Sequence, residues 1–210
     1  MGAERRGTGR LTVDDLARMP DEGGVYELVE GRLDVAPTPD LAHTRAVGRL
    51  VGHLASVAPD GFEVLLGPGV NIHGDPSHHR RPDAAVIREG DETRPYLTRP
   101  PVLAVEVLTP ESTMRDTHRK RAEYAEFGIE SYWIIAPSVE KTAVFEMRLD
   151  GGAYREAQEA FDTDVFATEA PFPLRLVPRW LTARGPWLAR IGGEDTGEGD
   201  EHTSETTDDT

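Results

Sequence analysis

The chain contains no cysteine, which removes disulfides and thiolate metal sites and leaves carboxylate, imidazole and carbonyl groups to hold any metal ion. That donor chemistry favours Mg²⁺ or Mn²⁺. Lysine is nearly absent too: of 23 basic residues only two are lysines, Lys120 and Lys141, and the rest are arginines. A chain that uses guanidinium wherever a generic positive charge serves, yet keeps Lys120 among Arg115, Arg119 and Arg121, points to a need for an ammonium that can lose its proton. Long apolar runs are also missing. None approaches the roughly 20 residues of a membrane span, and Met1 to Arg10 lacks the apolar stretch of a signal peptide, so a cytoplasmic protein without a membrane partner is expected.

What is abundant is negative charge. The 210 residues carry a formal net charge of -15, which taken alone argues against a nucleic-acid partner. The excess is uneven, however. Glu194, Asp195, Glu198, Asp200, Glu201, Glu205, Asp208 and Asp209 fall in a stretch from Gly192 to Thr210 that has no Lys or Arg. Taking those eight from the 38 acidic residues leaves 30 against 23 basic ones, a body only mildly acidic, on which a local basic groove is compatible. The expectation is one domain over residues 11–191 followed by a disordered acidic tail, 192–210, with too little apolar content to fold.

Along the body, Thr12 with Asp14 and Asp15 signals a helix N-terminus, and Pro20 closes that helix. The runs from Val25 to Val29 and from Arg32 to Val35 flank Glu30-Gly31, a two-residue hairpin connection. Apolar residues at Leu41, Val47, Leu50, Val51 and Leu54 predict a long helix ending before Pro59. Strands are expected at Phe62 to Leu66, Gly69 to Ile72, Asp83 to Ile87, Val102 to Leu108, Ser131 to Ile135 and Thr142 to Arg148. His73 to Arg81 reads as a polar loop, Ser112 to Phe127 as an amphipathic helix capped by Gly128, and Pro171 to Ile191 as a cap with a short helix near Trp187. A buried strand, a helix and a second buried strand make Val102 to Leu108 and Tyr132 to Ile135 parallel neighbours. The fold class is therefore α/β, a central mixed sheet flanked by helices, with an N-terminal helix and β-hairpin.

A carboxylate inside an apolar strand is costly unless it is paired or bound to a cation, which singles out Glu106. It could bind a metal or neutralise a buried arginine. Asp83, directly after Pro82, could join it or serve as a turn residue, and Lys120 on the following helix could be catalytic or merely solvated. Taken together, two acids on separate strands can hold a hard cation with the backbone carbonyl of Val107 as a further ligand. Lys120 can then orient or deprotonate an attacking water, a constellation suited to phosphodiester hydrolysis. Arg80, Arg81, Arg115, Arg119 and Arg121 are candidate phosphate contacts or ordinary surface charges. His78 and His79 are adjacent in sequence, point in different directions, and make a poor metal pair.

Several stretches in order, Tyr26-Glu27-Leu28-Val29-Glu30-Gly31, His43, Pro82-Asp83, Glu106 to Pro110, Asp116 through Lys120 to Tyr124, Gly128 and Tyr132-Trp133, carry a resemblance. The chain from Tyr26 to Pro137 resembles the Uma-type family of bacterial restriction-endonuclease-like proteins, a branch of the PD-(D/E)XK nuclease superfamily. The resemblance implies a restriction-endonuclease-like fold, with Asp83 as the superfamily's aspartate and Glu106 as its second acid. The third motif position holds Leu108 instead of lysine, and the resemblance implies that the amine has moved to the helix as Lys120. It adds Glu27 as an accessory acid and His43 as a helix residue facing the site. The expected function is Mg²⁺- or Mn²⁺-dependent hydrolysis of DNA, with a second copy of the chain as a candidate partner. Two alternatives stand beside it: a nuclease-derived binding module without efficient cleavage, and a phosphohydrolase of small substrates.

Overall fold

The computed structural model describes residues 9–20, 24–36, 38–109, 114–138 and 141–193, the side chains of 114–117 excepted. The acidic tail from residue 194, the expected helix start at Ser112 and the Arg115 side chain lie outside those residues. A short helix α1, Val13–Leu16, opens the fold. Thr12 stands at its cap and donates its backbone N–H and its hydroxyl to the Asp15 carboxylate at 2.9 and 3.1 Å. Strands β1, Val25–Val29, and β2, Arg32–Ala36, form the hairpin predicted around Glu30-Gly31. Both turn residues take positive φ, 50° and 78°, as a two-residue hairpin turn requires. A Cβ on Gly31 would stand 2.3 Å from that of Arg10, so no larger residue fits there.

Asp40 caps the long helix α2, Leu41–Val57, by accepting the His43 N–H at 2.8 Å. The chain then builds β3, Phe62–Leu66; β4, Val70–Asn71; β5, His79–Arg80; β6, Ala84–Arg88; and β7, Leu103–Val107. Helix α3, Met114–Phe127, ends at Gly128, whose φ of 95° is the left-handed conformation that closes a helix. Next come β8, Ser131–Ala136; β9, Ala143–Asp150; β10, Ala153–Phe161; β11, Phe166–Thr168; β12, Leu174–Leu176; α4, Arg179–Thr182; and α5, Trp187–Arg190.

The main sheet is mixed, in the order β10-β9-β8-β7-β6-β3. Its one parallel pair among the described strands is β7 with β8, from Leu103 opposite Ser131 to Val107 opposite Ile135, with α3 as the crossover between them. Strand alternation sorts the core into two layers. On one face Leu103, Val105 and Val107 pack with Leu50 and Leu54 of α2 and with Trp133, Phe166 and Leu176. On the other, Ala104 and Ile134 pack with Tyr124 and Phe127 of α3 and with Tyr132 and Tyr154. Glu106, alternating with Val105 and Val107, falls on the α3 face.

The stretch His73–Arg81 departs from the loop expected of it. A 3₁₀ turn at Ile72–Gly74 is followed by β5, which pairs with β1 at Leu28–His79 and with β4, giving a second sheet in the order β2-β1-β5-β4. Two-residue strands carry no readable hydrophobic period, which is why the pairing was invisible in sequence. The strand expected at Gly69 to Ile72 shrinks to Val70–Asn71 for the same reason. The C-terminal segment holds the expected short helix at Trp187, and also a two-stranded ribbon, β11 with β12, that no sequence signal announced.

Candidate active site

One end of the main sheet collects the expected residues. Asp83 sits one step before β6, next to the pair Ala84–Val105, and therefore opposite Glu106 in the antiparallel register. The Asp83 Oδ2 accepts the Val107 N–H at 2.7 Å, and its Oδ1 lies 3.2 Å from Nε2 of His43, presented by the first turn of α2. Glu106, near the end of β7, receives the Lys120 ammonium at 3.0 Å on each carboxylate oxygen and the Tyr124 hydroxyl at 2.8 Å. Lys120 also reaches Oε1 of Glu27 on β1 at 2.9 Å. All five expected side chains, Asp83, Glu106, Lys120, Glu27 and His43, together with Val107, line one cleft of about 290 Å³. The α3 residues Lys120, Glu123 and Tyr124 stand at helical spacings of three and four, so one face of the helix serves the whole site.

Behind this cluster lies a second layer that the sequence reading misassigned. Arg80 was a candidate phosphate contact, but its side chain is only 2% exposed and is fully engaged. It donates to both Glu123 oxygens at 2.7 and 2.8 Å and to Glu27 Oε2 at 2.9 Å. Glu27 further accepts the Arg81 N–H at 2.9 Å. Arg121 is likewise occupied, donating to the Tyr154 carbonyl at 2.7 Å, whereas exposed Arg81 and Arg119 do line the cleft. His78 and His79 are indeed turned apart: His78 approaches Glu123 at 3.2 Å, and buried His79 pairs with Asn71 at 2.7 Å. Glu123 and Tyr124 were the residues missed. Both share a helix face with Lys120, and Tyr124 also ends one of the stretches that carry the family resemblance.

The electrostatics follow from burial and neighbours. Desolvation, reinforced by the negative charges of Asp83 and Glu27 and opposed by Lys120, pushes Glu106 up to about 7. Burial would raise Glu27 as well, but Lys120, Arg80 and the Arg81 N–H outweigh it and hold that carboxyl below its ordinary value. Burial would lower Lys120, yet Glu106 and Glu27 hold it well above the usual lysine range. The ammonium is thus clamped in its charged form, at odds with the expectation of an amine ready to release a proton. For His43 burial is again outweighed, here by the hydrogen bond and charge of Asp83, and its value rises.

Among the described residues no three His, Asp or Glu side chains form a ready-made metal cage. The oxygen-only pair Asp83 and Glu106 nevertheless fits a hard divalent cation in chemistry, and the ammonium held between Glu27 and Glu106 shows that the pocket accommodates positive charge.

Residues 13–183 match the family described as "Uma2: Putative restriction endonuclease". No curated protein matches the chain. Among solved structures, a protein from Anabaena variabilis described as a "putative nuclease belonging to DUF820" superposes with a TM-score of 0.60. The match covers 77% of this chain and 89% of that one at 18% identity, a likeness of fold. The mixed sheet flanked by α2 and α3 is the restriction-endonuclease-like architecture, and no described helix is long and apolar enough to cross a membrane. With the family match extending over well more than half its length, the chain belongs to the Uma2 family of restriction-endonuclease-like proteins.

Proposed function

We propose that the protein is a Mg²⁺- or Mn²⁺-dependent endonuclease that hydrolyses DNA phosphodiester bonds. The observation that carries this reading is the convergence of Asp83, Glu106 and Lys120, drawn from the start of β6, from β7 and from α3, in a single cleft. Asp83 and Glu106, with the Val107 carbonyl, are the groups that would hold the ion, which when bound supplies Lewis acidity and a more acidic water. The protein's own residues do the positioning. His43 and the Val107 N–H fix both oxygens of Asp83, and Tyr124 fixes Glu106. Glu27, itself locked by Arg80, shares the Lys120 ammonium with Glu106 and so fixes where it stands. From there Lys120 donates hydrogen bonds and places positive charge beside a phosphoryl group, where charge develops during displacement. Serving as a base would first require its release from Glu106.

A second reading, a nuclease-derived binding module with little catalysis, is favoured by that same clamp, since an ammonium saturated by two carboxylates can be purely structural. Incubation of supercoiled plasmid with the protein, in Mg²⁺ or Mn²⁺ and again in chelator, separates the two. Metal-dependent nicking that disappears in Lys120→Ala supports the endonuclease; binding without nicking favours the module. Turnover of mononucleotides with no dependence on polymer length would point to a small-substrate phosphohydrolase.

A further inference from the structure

The lining of the cleft is mixed in chemistry. The hairpin side contributes Val25, Val35, Ala36 and Pro39, an aliphatic surface on which Val35 is 51% exposed. Two acids stand there as well: buried Glu27, paired with Arg80 and Lys120, and half-exposed Asp34, 3.9 Å from Arg80. Exposed guanidinium groups come from Arg119 on α3 and from Arg81, which directly follows β5 and so belongs to the same small sheet as the hairpin. The reactive groups are recessed: the side chains of Glu106, Lys120 and His43 are 13%, 15% and 10% exposed.

We propose that the strand this cleft accepts is unpaired DNA, an inference that rests on the nuclease reading and narrows its substrate. An unpaired strand offers phosphates along one edge and apolar base faces along the other, which matches a lining that combines exposed guanidinium groups with an aliphatic surface. A duplex offers phosphates on both flanks and keeps its base faces stacked inside, so it has nothing to place against Val25, Val35 and Pro39. Charge density argues the same way. Duplex DNA carries one charge per about 1.7 Å of axis, about twice that of a single strand. A body with 30 acids against 23 bases, and two exposed arginines at the cleft, suits the lower density. Recession completes the argument, because a phosphate on a loose strand can be threaded to Glu106 and Lys120, while one on the rigid convex face of a helix is held off by the hairpin.

The test compares one labelled oligonucleotide alone, annealed to its complement, and annealed so that an arm stays unpaired. Binding is read by fluorescence anisotropy in Ca²⁺ with wild-type protein, and cleavage separately in Mn²⁺. The single strand is expected to bind at least tenfold more tightly than the duplex, and cuts are expected in the unpaired arm. Val35→Glu, at an exposed position the fold does not need, should weaken single-strand binding several-fold, and Arg119→Ala should flatten its salt dependence by about 0.7 in log–log slope. Duplex binding as tight as single-strand binding, no DNA binding at all, or cuts confined to paired DNA would overturn the proposal. Preferential single-strand binding without any cleavage would preserve this inference and remove the nuclease reading beneath it.

Discussion

The Lys120 ammonium stands 3.0 Å from both carboxylate oxygens of Glu106, bridging a helix and the strand that precedes it. A cation held this symmetrically neutralises an acid that would otherwise be buried unpaired among Asp83 and Glu27.

Replacing Lys120 by Ala is expected to reduce metal-dependent nicking by about 10²–10³-fold, the range associated with losing one positioned donor to developing charge. Lys120→Arg should fail as well, because a planar guanidinium cannot reproduce a point charge shared by Glu27 and Glu106. Plasmid nicking rates report both variants, and activity retained in the Arg variant would mean that charge alone suffices.

Metal affinity should depend on the proposed ligands and on groups that orient them without touching the ion. Asp83→Asn is expected to abolish the Mn²⁺-induced rise in melting temperature. Tyr124→Phe, which trims only the hydroxyl 2.8 Å from Glu106, should weaken Mn²⁺ by about 10–100-fold by calorimetry. Unchanged affinity in Tyr124→Phe would assign that hydroxyl to packing.

Acid stability should report on Glu123. Burial would raise its pKa, but His78 and Arg80 outweigh burial and hold the folded-state value at about 2, against an ordinary 4.5. A depressed carboxylate lends stability that is fully present above pH 4.5 and lost as pH falls towards 2, on the order of 3 kcal/mol. Urea titrations between pH 5 and 2 should therefore show a steeper decline in the wild type than in Glu123→Gln. Parallel declines would place the acid sensitivity elsewhere.

The acidic C-terminal segment should weaken DNA binding from its tether, since eight carboxylates without a base compete with phosphates for Arg81 and Arg119. Truncation after Ile191 is expected to tighten binding most at low salt, where screening is weakest. Equal affinity across a salt titration would leave the segment a solubility role.

Sequence exposed the parts of this molecule whose physics is local. An acid in an apolar strand marked Glu106, Glu30-Gly31 marked the hairpin, and two apolar runs around an amphipathic helix marked the parallel pair β7 and β8. The scarcity of lysine marked Lys120. Arg80 was illegible because its burial depends on three partners, Glu27, Glu123 and the strand pairing of β5, that are brought together only by tertiary structure. The same holds for Tyr124, which reads as a helix aromatic until β7 supplies Glu106. The ribbon of β11 and β12 is too short to show a period, and its three-residue strands are stabilised by packing on α2 and Trp133.

The Arg80 clasp has a mechanical consequence. One guanidinium from the small sheet is tied to β1 through Glu27 and to α3 through Glu123, so the hairpin cannot swing away from the helix without stranding buried charges. The gap beside the acids is consequently a fixed gauge with no jaw. On the nuclease reading, a substrate strand would have to be slender enough to enter without the cleft opening, so its width would be tested before its sequence.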